Sequence, residues 1–146
     1  MVFRCANCGA FNRVPEGRVG TPSCGRCRQA LATTGAPQDV DAEGLARAIA
    51  ASPVPLLVDF WAPWCGPCRM VAPTVEQVAR AKAGRAVVLK VDTQAHPDAG
   101  ARHGVRGIPT FVVFSGGQEV ARQSGALPRA MLEALLEPAM AAAPPA

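Results

Sequence analysis

The run Leu56-Leu-Val-Asp-Phe-Trp61 is followed after three residues by Cys65-Gly-Pro-Cys68. A short stretch of branched and aromatic residues suits a strand buried on both faces. Pro67 belongs in the first turn of a helix, where its missing N–H costs nothing. A buried strand that feeds directly into a helix carrying two cysteines at its start therefore demands a layered α/β fold.

That placement also decides the chemistry. Unpaired N–H groups and the positive dipole end at a helix N-terminus favour a thiolate, which makes Cys65 the nucleophile. Cys68, one turn further in, can attack a mixed disulfide on Cys65 and so acts as the resolving thiol. Gly66 leaves room for an approaching chain, and Pro67 stiffens the loop. The other readings, half of a structural metal site or an inert disulfide, lack a partner cysteine pair nearby.

The remaining elements fit the same architecture. Asp41 is placed to cap a helix through about Ala51, with Leu45, Ala48 and Ile49 on one face and Pro53 and Pro55 beyond its end. The helix from Cys65 should run to about Ala83, bent by Pro73 and ended by Gly84. Ala86–Asp92 reads as a second buried strand, and Pro97 opens a short helix ending near Gly104. Thr110–Phe114 and Gln118–Gln123 should pair as a hairpin, and Pro128 opens an amphipathic helix to Glu137.

Four further cysteines precede this unit. Cys5-x2-Cys8 and Cys24-x2-Cys27 form two similar knuckles joined by a turn-rich loop, a spacing suited to a tetrahedral four-sulfur site. With few large apolar residues, Phe3, Phe11 and Leu31 among them, burial alone cannot order about 30 residues. One structural zinc ion with no open coordination position is the expected ligand, with two disulfides or an iron site as the competing assignments. The expected division is a zinc-binding module over 1–31, a linker over 32–37 flexible enough to let the module move, a main domain over 38–138 and a flexible tail over 139–146.

The net charge of +4 is concentrated in this first segment, where Arg4, Arg13, Arg18, Arg26 and Arg28 face Glu16 alone. Four thiolates around a zinc ion would add about −2 and leave the segment mildly basic. With Phe3 and Phe11 as its only aromatics, nucleic-acid binding is disfavoured. No apolar run approaches the ~18 residues of a membrane span and no export signal opens the chain, so a cytoplasmic, membrane-free protein is expected.

The block Val58-Asp-Phe-Trp-Ala-Pro-Trp-Cys-Gly-Pro-Cys68, the downstream Gly107-Ile-Pro-Thr110 and then Gly125-Ala126 resemble the thioredoxin family over about Gln38 to Pro138. With the knuckles in front, the chain is similar in particular to the bacterial thioredoxin 2 subfamily. The resemblance implies the thioredoxin fold, a central mixed sheet flanked by helices behind a small zinc-ribbon-like module. It implies reduction of disulfide-containing protein substrates by a monomer that an NADPH-dependent thioredoxin reductase regenerates. Gly-Pro between the cysteines is similar to the reducing members.

The resemblance also assigns residues. Asp59, an acid costly to bury, matches the family's aspartate that helps deprotonate Cys68, and Lys90 matches the lysine paired with it. Pro109 matches the family's cis-proline, whose loop keeps metals from the dithiol and lets the Ile108 backbone pair with an extended substrate. Trp64, Gly66, Pro67, Ile108, Gly125 and Ala126 would form a flat contact surface. Outside these motifs, Trp61 is assigned to the core, Met70 to the core or the rim of the site, and His96 and His103 to the surface. The competing function is a zinc-ribbon interaction or nucleic-acid-binding protein that uses the thioredoxin fold as scaffold.

Overall fold

The computed structural model describes residues 1–142. A two-stranded antiparallel ribbon opens the chain, β1 (Val2–Arg4) with β2 (Phe11–Arg13). The main unit then runs β3 (Gln38–Asp39), α1 (Ala42–Ala51), β4 (Leu56–Trp61), α2 (Gly66–Ala81), β5 (Val87–Asp92), α3 (Pro97–Arg102), β6 (Thr110–Ser115), β7 (Gln118–Ser124) and α4 (Arg129–Ala142). Its sheet has the order β3-β5-β4-β6-β7, parallel across β3-β5-β4 and antiparallel from β4 through β7.

The alternation of side chains along each strand divides the core into two layers. Val58, Phe60, Leu89 and Val91 face α1 and α3, together with Leu45, Ala48 and Ala99. Leu57, Val88, Phe111 and Val113 face α2 and α4, against Val71, Val75, Val78, Leu132 and Leu136. Asp59 follows Leu57 by two residues and Lys90 follows Val88 by two, so both belong to the α2 face.

Local signals act as the sequence implies. The Asp41 carboxylate accepts the Gly44 N–H at 2.7 Å and caps α1. The hairpin turn is Gly116-Gly117, both in the left-handed region, which fits a tight turn whose twist matches the flanking strands. Helix α4 exceeds its expected end: it continues through Pro138 to Ala142, burying Ala139 beside Leu136. Packing of that face offsets the backbone bond that proline removes. The rest of the expected tail, 143–146, lies outside the described residues.

The segment 32–37, read from its small polar residues as free to flex, instead lies against the main domain. Gly35 has φ +79°, and a Cβ there would sit 2.6 Å from Ala83 Cβ and 2.8 Å from the Ala79 carbonyl oxygen. The ribbon docks as well. Val2 N–H bonds the Gly84 carbonyl at 2.8 Å, and the Val2 side chain is fully buried in the layer that faces α1. Arg4 and Gln38 exchange two 2.8 Å hydrogen bonds. Composition reported the polarity of this segment and was silent about the close backbone approach that its glycine permits.

Candidate redox site and metal centre

Strand β4 ends at Trp61, and α2 begins four residues later on Cys65 as its N-cap. The Cys65 sulfur accepts the Cys68 N–H at 3.2 Å, the bond a capping side chain makes, and it lies 3.8 Å from the Ile108 carbonyl oxygen. Cys65 and Cys68 are joined as a disulfide with their Cα atoms 5.3 Å apart. Both are buried, whereas Trp64, Gly66 and Pro67 around them are exposed. A Cβ on Gly66 would meet nothing, so the space above the disulfide is open.

The Ile108–Pro109 bond is cis, and its loop is tied down on two sides. The Pro109 carbonyl accepts the Gly125 N–H at 2.8 Å, and the Thr110 hydroxyl contacts the Gly107 carbonyl at 2.5 Å and the Ser124 hydroxyl at 2.8 Å. Ile108 and Gly125 are half-buried and Ala126 is exposed. These residues thus reach one surface from three separate loops. From sequence Thr110 entered only as the last residue of the Gly107-Ile-Pro-Thr110 motif, with no role given to its hydroxyl.

Asp59 lies below this surface, 1% exposed, and its Oδ1 has no hydrogen-bond partner among the described residues. Burial raises its pKa to about 7, against the opposing pull of Lys90. Lys90 pairs with Asp59 in the strand register, yet its ammonium lies 4.5 Å over the Trp61 ring. Trp61, assigned to the core from sequence, is half-buried and packs on the cluster of Ala62, Cys65 and Cys68. The two-residue period of β4 already placed it on the face of Leu57 and Asp59. Met70, in α2, is 78% exposed and so is not core. His103 is not surface decoration: its ring lies 5.9 Å from Phe60 and 5.4 Å from Phe114, and burial lowers its pKa.

The sulfurs of Cys5, Cys8, Cys24 and Cys27 lie within 4.8 Å of one another. Cys5 to Cys27 is 3.7 Å and Cys8 to Cys24 is 3.6 Å. Four thiolates about 2.3 Å from a central ion stand about 3.8 Å apart, so the cluster has the size of a tetrahedral metal–sulfur site. The N–H groups of Cys27 and Arg26, then the Asn12 amide, lower the Cys24 pKa to about 6. Asn12 also accepts the Gly25 N–H at 2.9 Å, clamping β2 to the second knuckle, a role its sequence position did not reveal. The two knuckles repeat in structure: the residue four after each first cysteine donates to its carbonyl, and that residue is Gly9 at φ +79° or Arg28 at φ +70°. The donor set and its geometry fit an N-terminal zinc module.

Comparison with known proteins agrees with this geometry. Residues 36–138 match the thioredoxin family. The chain is 45% identical over 128 residues to thioredoxin C-3 of Corynebacterium nephridii, covering 87% of each. It is 38% identical over 137 residues to the chloroplastic thioredoxin M4 of Arabidopsis thaliana, covering 94% of this chain and 70% of that protein. Among solved structures, a mutant thioredoxin from Halobacterium salinarum NRC-1 superposes with a TM-score of 0.68 at 33% identity, over 75% of this chain and 95% of that one. A helix-capping cysteine disulfide-bonded one turn inward, set against a cis-proline loop on this sheet, and matched in sequence over most of the chain, places the protein in the thioredoxin family as a thioredoxin-type disulfide oxidoreductase.

Proposed function

We propose that this protein reduces protein disulfides by dithiol exchange, with Cys65 as nucleophile and Cys68 as resolving thiol. The observation that carries the reading is the capping bond from Cys68 N–H to the Cys65 sulfur beside the Ile108–Pro109 loop. The same N–H that completes the first turn of α2 stabilises negative charge on that sulfur. In the dithiol form the Cys65 thiolate attacks one sulfur of a substrate disulfide. A mixed disulfide forms, and the other substrate sulfur leaves as a thiolate and takes a proton. Cys68, deprotonated with the help of Asp59, then attacks the Cys65 sulfur. The reduced substrate departs and the Cys65–Cys68 disulfide remains.

The parts around the pair serve this exchange. Asp59 is suited to accept a proton near neutral pH because burial brings its pKa to about 7, and Lys90 keeps it from rising further. The Ile108 carbonyl and the exposed Trp64, Gly66, Pro67 and Ala126 give an extended segment a place to lie across the sulfurs. Two electrons from NADPH, delivered by a thioredoxin reductase, return the pair to the dithiol. Zinc is the metal we assign to Cys5, Cys8, Cys24 and Cys27, in a structural role, since all four positions of a tetrahedron are taken by sulfur. No helix among the described residues is long and apolar enough to cross a membrane, and a monomer working in the cytoplasm is the setting proposed.

The test is NADPH-coupled reduction of a disulfide-bonded protein with thioredoxin reductase supplied. Activity that Cys65→Ser abolishes is expected. Inactivity of the parent, or full activity of the variant, would instead favour a scaffold that presents its zinc module to a partner.

A further inference from the structure

The six ion pairs among the described residues all lie in the main domain: Arg80, Arg102, Arg122, Arg129 and Lys82 each meet a carboxylate. The metal module is different. Arg13, Arg18, Arg26 and Arg28 are exposed and none joins an ion pair, while Glu16 is the one acid in the segment. The Asn12 bond to Gly25 N–H ties β2, which also carries Arg13, to the knuckle that carries Arg26 and Arg28. At the tip of the intervening loop Val19 is 95% exposed, next to Arg18. The module thus offers four exposed guanidinium groups with no ion-pair partner among the described residues, and one exposed apolar side chain beside Arg18.

The first knuckle of the module faces the redox side of the main domain. A groove of about 610 Å³ separates the module from the main domain, and Asn7 and Arg4 line one wall while Trp61 and Asp92 line the other. Trp61 packs on the Cys65–Cys68 pair, and Asn7 precedes Cys8, whose sulfur lies 3.6 Å from that of Cys24 on the knuckle that carries Arg26 and Arg28. The groove itself mixes arginines with Asp39, Asp41 and Asp92 and carries no clear sign of charge. The unpaired arginines lie outside it, on β2, on the intervening loop and at the second knuckle.

We propose that the arginine face of the metal module is a docking surface for substrate proteins with an acidic surface near their disulfide. The inference rests on the disulfide-reductase reading above. An acidic protein surface is favoured over nucleic acid because the module has no exposed aromatic ring: Phe3 is buried and Phe11 half-buried. Unpaired surface charge acts mainly on encounter, so the docking should raise the second-order rate of exchange and fade with salt.

The experiment uses the full metal-loaded chain, pre-reduced at Cys65 and Cys68, and follows its oxidation by three substrates. Two are forms of one disulfide-bonded protein that differ only in a surface run of glutamates or of lysines, and the third is a small neutral disulfide. For Arg13→Glu/Arg18→Glu/Arg26→Glu, the second-order rate constant with the glutamate form should fall about tenfold at low ionic strength. The lysine form should react no slower than with the parent, and the small disulfide equally fast with all variants. Arg13→Lys/Arg18→Lys/Arg26→Lys should keep the parent's preference. Equal losses on both protein forms, or no loss on the glutamate form, would overturn the docking surface. Failure of the parent to react with the small disulfide would overturn the reductase reading instead. Should the glutamate variant lose its metal, the parent's salt series decides: the glutamate form must slow steeply with salt while the lysine form does not, and parallel slopes would refute the proposal.

Discussion

Asp59 and Lys90 stand side by side in the register of β4 and β5 without forming an ion pair: the carboxylate Oδ1 is buried and unpartnered, while the ammonium lies over the Trp61 ring. The lysine is close enough to oppose the rise in the Asp59 pKa but does not cancel it. An acid that ionises near pH 7 inside a core costs stability once charged.

Asp59→Asn should therefore stabilise the protein at alkaline pH and not at acidic pH. The folded pKa, about 7, lies above the usual carboxylate value, so the folded state holds the proton more tightly. The contribution of Asp59 to parent stability is then fully present below about pH 4 and is lost as pH rises through 7, by roughly 2–4 kcal/mol in all. Denaturant unfolding of parent and variant at pH 4.5 and pH 8.5 checks this; a constant difference across pH would count against a titrating Asp59.

The same substitution should slow exchange at its second step. Formation of the mixed disulfide depends on Cys65 and should change little, whereas release of the substrate by Cys68 should slow by roughly 10²-fold at neutral pH. The parent rate for release should climb through about pH 7 and the Asp59→Asn rate should not. Single-turnover kinetics with a chromogenic disulfide resolves the two steps.

Lys90→Met removes the charge that holds the Asp59 pKa down and the cation over Trp61. The pH midpoint of the release step should move upward, with maximal rates at high pH largely kept. A downward shift would mean that Lys90 does not act on Asp59 through its charge.

One zinc ion per chain is expected from elemental analysis in reducing buffer. Cys24→Ser should lose it, because Cys24 is one of the four clustered sulfurs, is fully buried and accepts from the Asn12 amide and the Arg26 N–H. Retention of zinc in that variant would rule out the four-sulfur site.

Val2→Ala should cost about 2 kcal/mol although Val2 precedes every cysteine, because its side chain is fully buried in the core layer facing α1. Gly35→Ala should be at least as damaging, since the new methyl would meet Ala83 and the Ala79 carbonyl from a left-handed backbone. Thermal unfolding measures both.

Much of this was legible in the sequence because short-range chemistry determines it. Asp41 caps α1, Cys65 caps α2 and Gly116-Gly117 turns the hairpin through interactions with residues a few positions away. The pair of Cys-x-x-Cys knuckles likewise carries its own geometry. What stayed hidden depends on distant partners. Gly35 reads as linker until Ala83 is seen against it, and His103 reads as surface until Phe60 and Phe114 close around it. Trp61 carries a strand residue's signal, while its contacts with Lys90 and the cysteine pair arise only when β5 and α2 pack.

The docking of β1 has a consequence for the order in which the chain can assemble. The knuckles of residues 5–27 close over short sequence distances and can gather their metal while the rest of the chain is still being made. The bond from Val2 to Gly84 and the seat of the Val2 side chain in the α1 layer of the core do not yet exist at that stage. Residues made first are therefore seated only after residue 84 has been made, across a contact of high sequence separation, the kind that slows folding. A metal-closed module that waits beside a growing chain would keep β1 in strand form, ready to be captured as soon as Gly84 and the strand after it emerge.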